Sequence, residues 1–245
     1  MMGVILAAGR GSRLGDETAA LPKPLMPVAG RTCIDFAIEA LLAVSDEVLV
    51  VTGYRADLVE AHLAEQWRGR ALTTVRNPQP EAGNLTSLGA ARPLIGAASF
   101  ILTNADHLFP VDMYVRHFLP ADGTQVNIAC ERERPVLADE MKVIEAEGRL
   151  TAISKNLPRY DGAYIGTTSI PGALQASYWA AFDHVAATNN LAIASVEMVL
   201  GQLARRRDTA PQVCWLSGLD WFEVDTPEDL AAARLGLSGE RTRAS

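Results

Sequence analysis

The chain has 245 residues, of which 49% are apolar and 21% are charged, and its formal net charge is −7. This composition is ordinary for a globular domain with a sizeable core, and the negative charge argues against nucleic acid or an anionic membrane as a partner. No stretch approaches the ~20 apolar residues of a membrane span, and no basic leader or cleavage-site pattern is present. Cys33, Cys130 and Cys214 lack metal-ligand spacing. We therefore expect reduced thiols in a cytoplasmic protein.

Strand and helix patterns alternate along the chain. Apolar runs predict buried strands at residues 3–8, 47–52, 72–76, 99–103, 126–130, 141–145 and 213–216. The spacing of apolar residues predicts helices at residues 33–42, 56–68, 85–94, 111–118, 172–187, 195–207 and 227–235. Such alternation favours a mostly parallel sheet, and residues 126–166 are expected to form a small β-rich lobe. We predict one domain over residues 1–237 and a flexible tail over residues 238–245.

The most informative segment is a glycine-rich turn that follows the first predicted strand. It reads LAAGRGSRL over residues 6–14, and LPKPLMP follows over residues 21–27. Gly9 and Gly11 allow backbone N–H groups to close around a phosphate, while Arg13 and Lys23 supply positive charge. The dinucleotide pattern GxGxxG would need glycine where Leu14 stands, and no GK[ST] ends the loop as in a P-loop. The segment therefore predicts a site for a nucleoside triphosphate.

Two aspartates come at the ends of apolar segments. Asp106 ends ILTNAD over residues 101–106, which places it at the sheet edge where ligands bind in open α/β folds. Asp225 ends WFEVD over residues 221–225, directly before Thr226 and Pro227, which indicate the start of a helix. Taken singly, either aspartate could equally serve as a turn or cap residue.

The combination of LAAGxGxRL and PKPL resembles the signature of nucleotidyltransferases that activate sugar phosphates and small alcohol phosphates. The resemblance implies an α/β fold of the nucleotide-diphospho-sugar transferase type, with a Rossmann-like, mostly parallel mixed sheet flanked by helices. It also implies that Arg13 and Lys23 are catalytic and that Asp106 and Asp225 bind Mg²⁺, which prefers oxygen ligands. The nucleotide-binding residues are then Leu6, Ala7, Ala8, Gly9, Arg10, Gly11, Ser12, Arg13, Lys23, Asn84, Ser87 and Asn104.

The segment EAGNLTSL, residues 81–88, bears on the choice of base. It is similar to the N-x-x-S-L segment of cytidylyltransferases that act on phosphocholine and on inositol-1-phosphate. Members that use UTP or dTTP have a Q-x-x-x-GTA type of segment there instead. The resemblance implies that Asn84 and Ser87 bind cytosine, although both could also belong to the first turn of the next helix.

The acceptor side is similar to inositol-1-phosphate cytidylyltransferases in the order of its short motifs. Met141-Lys142-Val143 matches their TKV strand, and the stretch from residue 148 to residue 161 matches GK-x-L-x-x-YD. The resemblance makes Lys142 and Lys155 candidates for binding the acceptor's phosphate or phosphonate. Residues 164–166 read YIG where that subfamily has an acidic DTG. This departure favours a smaller or more anionic acceptor than inositol, of the kind used in phosphonate pathways.

We therefore predict a Mg²⁺-dependent cytidylyltransferase that moves CMP from CTP to a small phosphate or phosphonate and releases pyrophosphate. The acceptor would be an intermediate of a phosphonate natural product, or inositol phosphate or choline phosphate. One alternative is a sugar-1-phosphate nucleotidyltransferase that uses UTP, dTTP or GTP. Others are a non-catalytic nucleotide-sensing homologue and an unrelated binding module of Rossmann type. We expect neither nucleic acid nor a membrane as a partner, and a homodimer is an open alternative.

Overall fold

The computed structural model describes residues 1–15, 21–115, 123–216 and 218–243, the last five of these by their backbone alone. Its strands are β1 (Met2–Ala7), β2 (Pro27–Val28), β3 (Arg31–Thr32), β4 (Glu47–Thr52), β5 (Leu72–Arg76), β6 (Phe100–Asn104), β7 (His107–Leu108), β8 (Asn127–Glu131), β9 (Lys142–Ala146), β10 (Arg149–Ser154), β11 (Gly162–Ile170), β12 (Gln212–Trp215) and β13 (Phe222–Glu223). Its helices are α1 (Cys33–Leu42), α2 (Ala56–Gln66), α3 (Asn84–Ile95), α4 (Gln175–Thr188), α5 (Val196–Leu203) and α6 (Pro227–Arg243).

A nine-stranded mixed sheet has the order β5-β4-β1-β6-β11-β8-β12-β10-β9. The first four strands in that order are parallel, as the alternation of strands and helices predicts. Every residue of β1 is buried, because helices cover both faces of this part of the sheet. The carboxyl ends of β1 and β6 therefore meet at one edge, and the glycine-rich loop and Asp106 follow those two ends.

The second half of the sheet is mainly antiparallel. β11 pairs antiparallel with β6 and β8, and β9 pairs antiparallel with both β10 and β11. Because β9 pairs with β10 and also with β11, the pairings among β11, β8, β12, β10 and β9 form a closed ring at this end of the sheet. They form the β-rich region that the sequence predicts, as a continuation of the central sheet.

The two faces of the sheet pack against separate groups of helices. Val4 and Leu6 lie in a core with residues of α3, α4 and α5, whereas Ile5 and Ala7 lie in a core with residues of α1 and α2. Alternation of side chains along a strand explains this division. Helix α1 begins with a capping box between Thr32 and Asp35.

Most predicted elements agree with the observed ones to within a few residues. Strands β10 and β11 and the short pairs β2–β3 and β7–β13 were not predicted individually from the sequence. The predicted helix at residues 111–118 falls partly on residues 116–122, which lie outside the described part. Helix α6 extends past residue 237 to Arg243. The predicted division at residue 237 between a domain and a flexible tail stays a prediction. Within the described residues, we find no helix with the length and apolar character that crossing a membrane requires.

Candidate active site

The glycine-rich loop leaves the carboxyl end of β1 and packs directly onto Lys23. Gly11 has a φ of 67°, in the left-handed region that favours glycine. A Cβ atom at this position would lie 2.7 Å from Cβ of Lys23. Glycine therefore allows the loop to pack against the short helical turn Lys23–Leu25 and holds the buried lysine beneath it.

A pocket of about 300 Å³, here called the loop pocket, lies over this junction. Almost all residues predicted to bind the nucleotide line it, namely residues 6–9 and 11–13, Lys23, Asn84, Ser87 and Asn104. Arg10 does not line the pocket, and its guanidinium lies 5.5 Å from the centre of the Tyr54 ring. The binding role of these residues stays a prediction.

Lys23 brings the two predicted metal-binding aspartates together. Its Nζ atom donates to Oδ2 of Asp106 at 2.5 Å and also donates to Oδ1 of Asp225. Its side chain is only 10% exposed, so this arrangement is a buried ionic cluster. Burial lowers the pKa of Lys23, but the two carboxylates raise it by more, and the net pKa lies well above the ordinary value.

Asp106 is held in its charged form by the same cluster. Burial raises the pKa of its carboxyl group, while Lys23 and His107 lower it by more, so the net pKa is well below the usual range. Oδ1 of Asp106 lies 2.6 Å from Nδ1 of His107. Both carboxylate oxygens of Asp106 therefore have a cationic or ring-nitrogen neighbour.

Arg13 joins the cluster from the glycine-rich loop. Its Nη2 atom lies 2.8 Å from Oδ2 of Asp225, and its Nη1 atom lies 2.6 Å from Oδ2 of Asp139. Asp139 belongs to the connection between β8 and β9, 126 positions away in the sequence. The structure thus links the loop both to the aspartate pair and to the β-rich half of the sheet.

Asn84 and Ser87 lie in the first turns of α3, at the wall of the loop pocket. Ser87 is buried, and its Oγ atom accepts a hydrogen bond of 3.0 Å from Nδ2 of Asn77. Oδ1 of Asn84 accepts a bond of 2.9 Å from the backbone N–H of Val196, the first residue of α5. The cap residue of α3 is Gly83, so Asn84 does not cap its own helix.

A second and larger pocket, here called the lobe pocket, has a volume of about 720 Å³ and lies between the loop pocket and the β-rich half. The residues Arg13, Asn84, Asn104, Asp106 and Asp225 line both pockets. The ionic cluster therefore sits where the two pockets meet. A ligand in one pocket could react at this junction with a ligand in the other.

The two lysines predicted to bind the acceptor have different positions. Lys155 lines the lobe pocket. Lys142 is buried, and its Nζ atom donates to the carbonyl oxygens of Leu137, Ala138 and Lys155 at 3.3, 3.0 and 2.8 Å. An ammonium has three N–H donors, so this arrangement favours a role for Lys142 in holding the chain around the pocket. Acceptor binding by either lysine stays a prediction.

The structure adds residues that the sequence analysis did not assign to the site. Burial, followed by the neighbouring aspartates, raises the pKa of Glu223 to about 7, although His107 opposes the shift. The ring of His107 stacks on Trp221 with 5.7 Å between centres. Ligand atoms of Asp106, His107 and Glu223 all lie within 4.8 Å of one another. The alternate spacing of Trp221, Glu223 and Asp225 was the available sequence signal, since such residues share one face of a strand.

The fold and the ionic cluster at the junction of two pockets define a nucleotidyltransferase-type domain. The chain belongs to the MobA-like NTP transferase domain family, whose sequence profile matches residues 3–205. This match confirms the nucleotidyltransferase resemblance.

Two curated relatives match almost the whole chain. A bifunctional IPC transferase and DIPP synthase of Rubrobacter xylanophilus is 35% identical over 92% of this chain and 49% of its own length. The CMP-5'-(3-aminopropyl)phosphonate synthase of Streptomyces rubellomurinus is 29% identical over 97% of this chain and 39% of its own length. The chain thus spans half or less of these relatives.

The fold also matches a solved structure. The inositol-1-phosphate CTP transferase of T. maritima superposes with a TM-score of 0.81 at 22% identity, covering 97% of this chain and 95% of the other. The expected fold of the nucleotide-diphospho-sugar transferase type is therefore confirmed.

Proposed function

We propose that this chain is a cytoplasmic cytidylyltransferase that transfers CMP from CTP to a small phosphate or phosphonate and releases pyrophosphate. The observation that supports it best is the junction of two pockets at Lys23, Asp106, Asp225 and Arg13. The name of one curated relative, a CMP-5'-(3-aminopropyl)phosphonate synthase, agrees with a CMP group joined to a small phosphonate.

CTP would occupy the loop pocket, with its base towards α3 and its triphosphate under the glycine-rich loop. Ser87 and Asn84 would contact the cytosine edge, since both line this pocket. Backbone N–H groups of residues 8–12, together with Arg13 and Lys23, would then stabilise the negative charge on the triphosphate.

The acceptor would occupy the lobe pocket, with one phosphoryl or phosphonyl oxygen facing the α-phosphorus of CTP. That oxygen forms a new bond to the α-phosphorus while the bond to the β-phosphate oxygen breaks, and pyrophosphate leaves with the bonding electrons. A phosphate monoester has a second pKa of about 6, so the attacking oxygen is already ionised near neutral pH. A general base is therefore not required, and positioning and charge stabilisation account for the catalysis.

A divalent cation fits the residues at the junction. The carboxylates of Asp106 and Asp225 both contact the ammonium group of Lys23, so this position already accommodates a positive charge. Glu223 and His107 lie beside Asp106. Oxygen-rich ligands shared with substrate phosphates suit Mg²⁺, and we assign it to Asp106 and Asp225. When bound there, it would neutralise charge on the phosphate oxygens. Lys23 and Arg13 would then turn from the carboxylates to the triphosphate.

The test is a panel of CTP, UTP, dTTP, GTP and ATP with pyrophosphate detection and Mg²⁺. Each triphosphate is combined with inositol-1-phosphate, phosphocholine, 2-aminoethylphosphonate, hydroxyethylphosphonate, phosphonoformate and glucose-1-phosphate. We expect turnover with CTP and one of the first five acceptors. Asp106→Asn should remove it, whereas Asp183→Asn, on an exposed aspartate paired with Arg92, should not. Turnover with glucose-1-phosphate and UTP, dTTP or GTP would instead assign a sugar nucleotidyltransferase.

A further inference from the structure

Most charged side chains of the lobe pocket are already paired within the protein. Arg13 contacts Asp139 and Asp225, and Arg134 donates to Glu140 at 2.5 Å. The other acidic side chains around the ionic cluster lie against cationic groups or accept hydrogen bonds from backbone N–H groups. Two charged residues of the pocket remain without an ion pair among the side chains that the structure describes, and they have opposite charge.

The unpaired anion is Glu197, in the first turn of α5. Glu197 lines the lobe pocket and is half-buried. Within the described part of the chain it has neither a hydrogen bond nor an ion pair. Oγ of Ser195, which lines the same pocket, is buried and also has no hydrogen-bond partner there. Ser195 is the cap residue of α5, but its side chain makes no cap hydrogen bond, so the backbone N–H groups at this helix start leave its Oγ atom without a donor.

The unpaired cation is Lys155, which follows β10. Its side chain is exposed in the same pocket and has no ion pair among the described residues. Its backbone is fixed, because its carbonyl oxygen accepts a 2.8 Å hydrogen bond from the buried Nζ of Lys142. The pocket therefore presents one positive and one negative group whose charges the protein does not pair.

We infer that the acceptor is zwitterionic, with a phosphate or phosphonate at one end and a primary ammonium group at the other. This inference rests on the proposed function and specifies its substrate class. Lys155, which lines the lobe pocket, would bind the anionic end next to the ionic cluster. The carboxylate of Glu197 and Oγ of Ser195 would accept hydrogen bonds from the ammonium group, which has three N–H donors.

The surroundings favour a primary ammonium over a quaternary one. A quaternary ammonium cannot donate N–H bonds and depends on open aromatic faces. The guanidinium of Arg134 lies 4.9 Å from the ring centre of Trp221, and His107 stacks on the same residue. Tyr164 is buried, with its hydroxyl bonded to Thr168 at 2.8 Å. A second cation at Trp221 would be repelled by Arg134, so hydrogen bonding to Glu197 is the better mode of recognition.

The experiment compares 2-aminoethylphosphonate, ethylphosphonate and phosphocholine as acceptors for CTP, by kcat/KM. We expect 2-aminoethylphosphonate to be preferred over ethylphosphonate by about tenfold or more, as for a charge-assisted hydrogen bond, and over phosphocholine as well. Glu197→Gln should reduce that preference about tenfold, and Glu197→Asp should restore part of it. Glu65→Gln, the same substitution on an exposed position of α2, should leave the preference unchanged.

Calorimetry with 2-aminoethylphosphonate and ethylphosphonate, with and without CTP, separates this inference from the proposed function. If 2-aminoethylphosphonate binds more tightly than ethylphosphonate and Glu197→Gln removes this difference, the inference is supported even without turnover. Lack of turnover in that case refutes the proposed function alone. Turnover without preference for the amine, or a preference that Glu197→Gln does not change, overturns the inference and leaves cytidylyl transfer intact. Preference for phosphocholine overturns it too, as does equal or undetectable binding of both ligands.

Discussion

Replacing Lys23 by methionine tests whether the buried ammonium stabilises both the fold and the reaction. The side chains of Lys23, Asp106 and Asp225 are 10%, 21% and 15% exposed, so the cluster has little screening by water. Removing the ammonium leaves two neighbouring carboxylates of like charge. Breaking a buried ion pair in this way typically costs about 3–5 kcal/mol. For a domain of this size, each kcal/mol lowers Tm by about 2–4 °C, so Lys23→Met should unfold about 10 °C earlier in buffer without metal.

The same substitution should change how the protein responds to Mg²⁺. A cation that binds only the folded state stabilises it by about 2.7 kcal/mol at 100 times its Kd. Without the ammonium, Asp106 and Asp225 attract a divalent ion more strongly, so Mg²⁺ should raise the Tm of Lys23→Met more than that of the wild type. Turnover should still fall by about 10²–10³, the usual cost of one preorganised charge at a reacting phosphate.

Differential scanning calorimetry with EDTA or Mg²⁺, followed by kcat/KM at saturating Mg²⁺, measures these effects. Lys155→Met is the stability control, since an exposed lysine without an ion pair should contribute within about 0.5 kcal/mol. A Tm of Lys23→Met equal to the wild-type Tm in EDTA would contradict the predicted loss of stability. A kcat/KM within tenfold of the wild-type value would contradict the predicted role in the reaction.

Three further substitutions probe other contacts. Burial raises the pKa of Asp35, but hydrogen bonds from neighbouring groups lower it by more, to well below its usual range. Its contribution to stability is therefore complete above about pH 4 and lost as pH falls. Asp35→Asn should flatten the decrease in unfolding free energy between pH 4 and 2, and an unchanged urea-unfolding profile contradicts this. Asp139→Asn removes the exposed ion pair between Asp139 and Nη1 of Arg13, so Arg13 is more available to the triphosphate. Because an exposed ion pair contributes up to about 1 kcal/mol, calorimetry should show up to about fivefold tighter CTP binding. Weaker binding would contradict this. In Gly166→Ala, at a φ of 72°, the new Cβ would lie 2.7 Å from Nε2 of His107, so urea unfolding should show a loss of about 1–3 kcal/mol. Wild-type stability would mean that the irregular part of β11 between Tyr164 and Thr168 adapts to the added Cβ atom.

The elements of the site that depend on local sequence were predictable. The glycine-rich loop follows a buried strand, Lys23 lies between two prolines, and Asp106 follows β6, the strand beside β1. The carboxyl ends of neighbouring parallel strands necessarily meet, so these residues converge once the sheet forms. Asp225 arrives through the pairing of β13 with β7.

The contacts that depend on long-range register were not predictable. Glu223 faces His107 only because β13 pairs antiparallel with β7 in one particular register. The partner of Arg13, Asp139, lies in a connection without regular structure, and the carbonyl oxygens bound by Lys142 depend on the path of that same connection. Single-sequence patterns contain no information on such pairings. The resemblance to a family implied candidate residues but not their hydrogen bonds.

Asp225 holds the two cationic side chains of the site in place in the absence of substrate. Its two carboxylate oxygens contact Lys23 and Arg13 separately, one oxygen for each cation. A triphosphate that bound both Lys23 and Arg13 would leave the carboxylates of Asp225 and Asp106 without a compensating positive charge. Partly buried charges of this kind are energetically unfavourable. On the proposed function, a divalent ion bound together with the nucleotide would compensate both carboxylates once the ammonium and guanidinium groups contact the triphosphate. Metal and nucleotide binding would then be coupled through Asp225, whose carboxylate orients Lys23 and Arg13 in the structure.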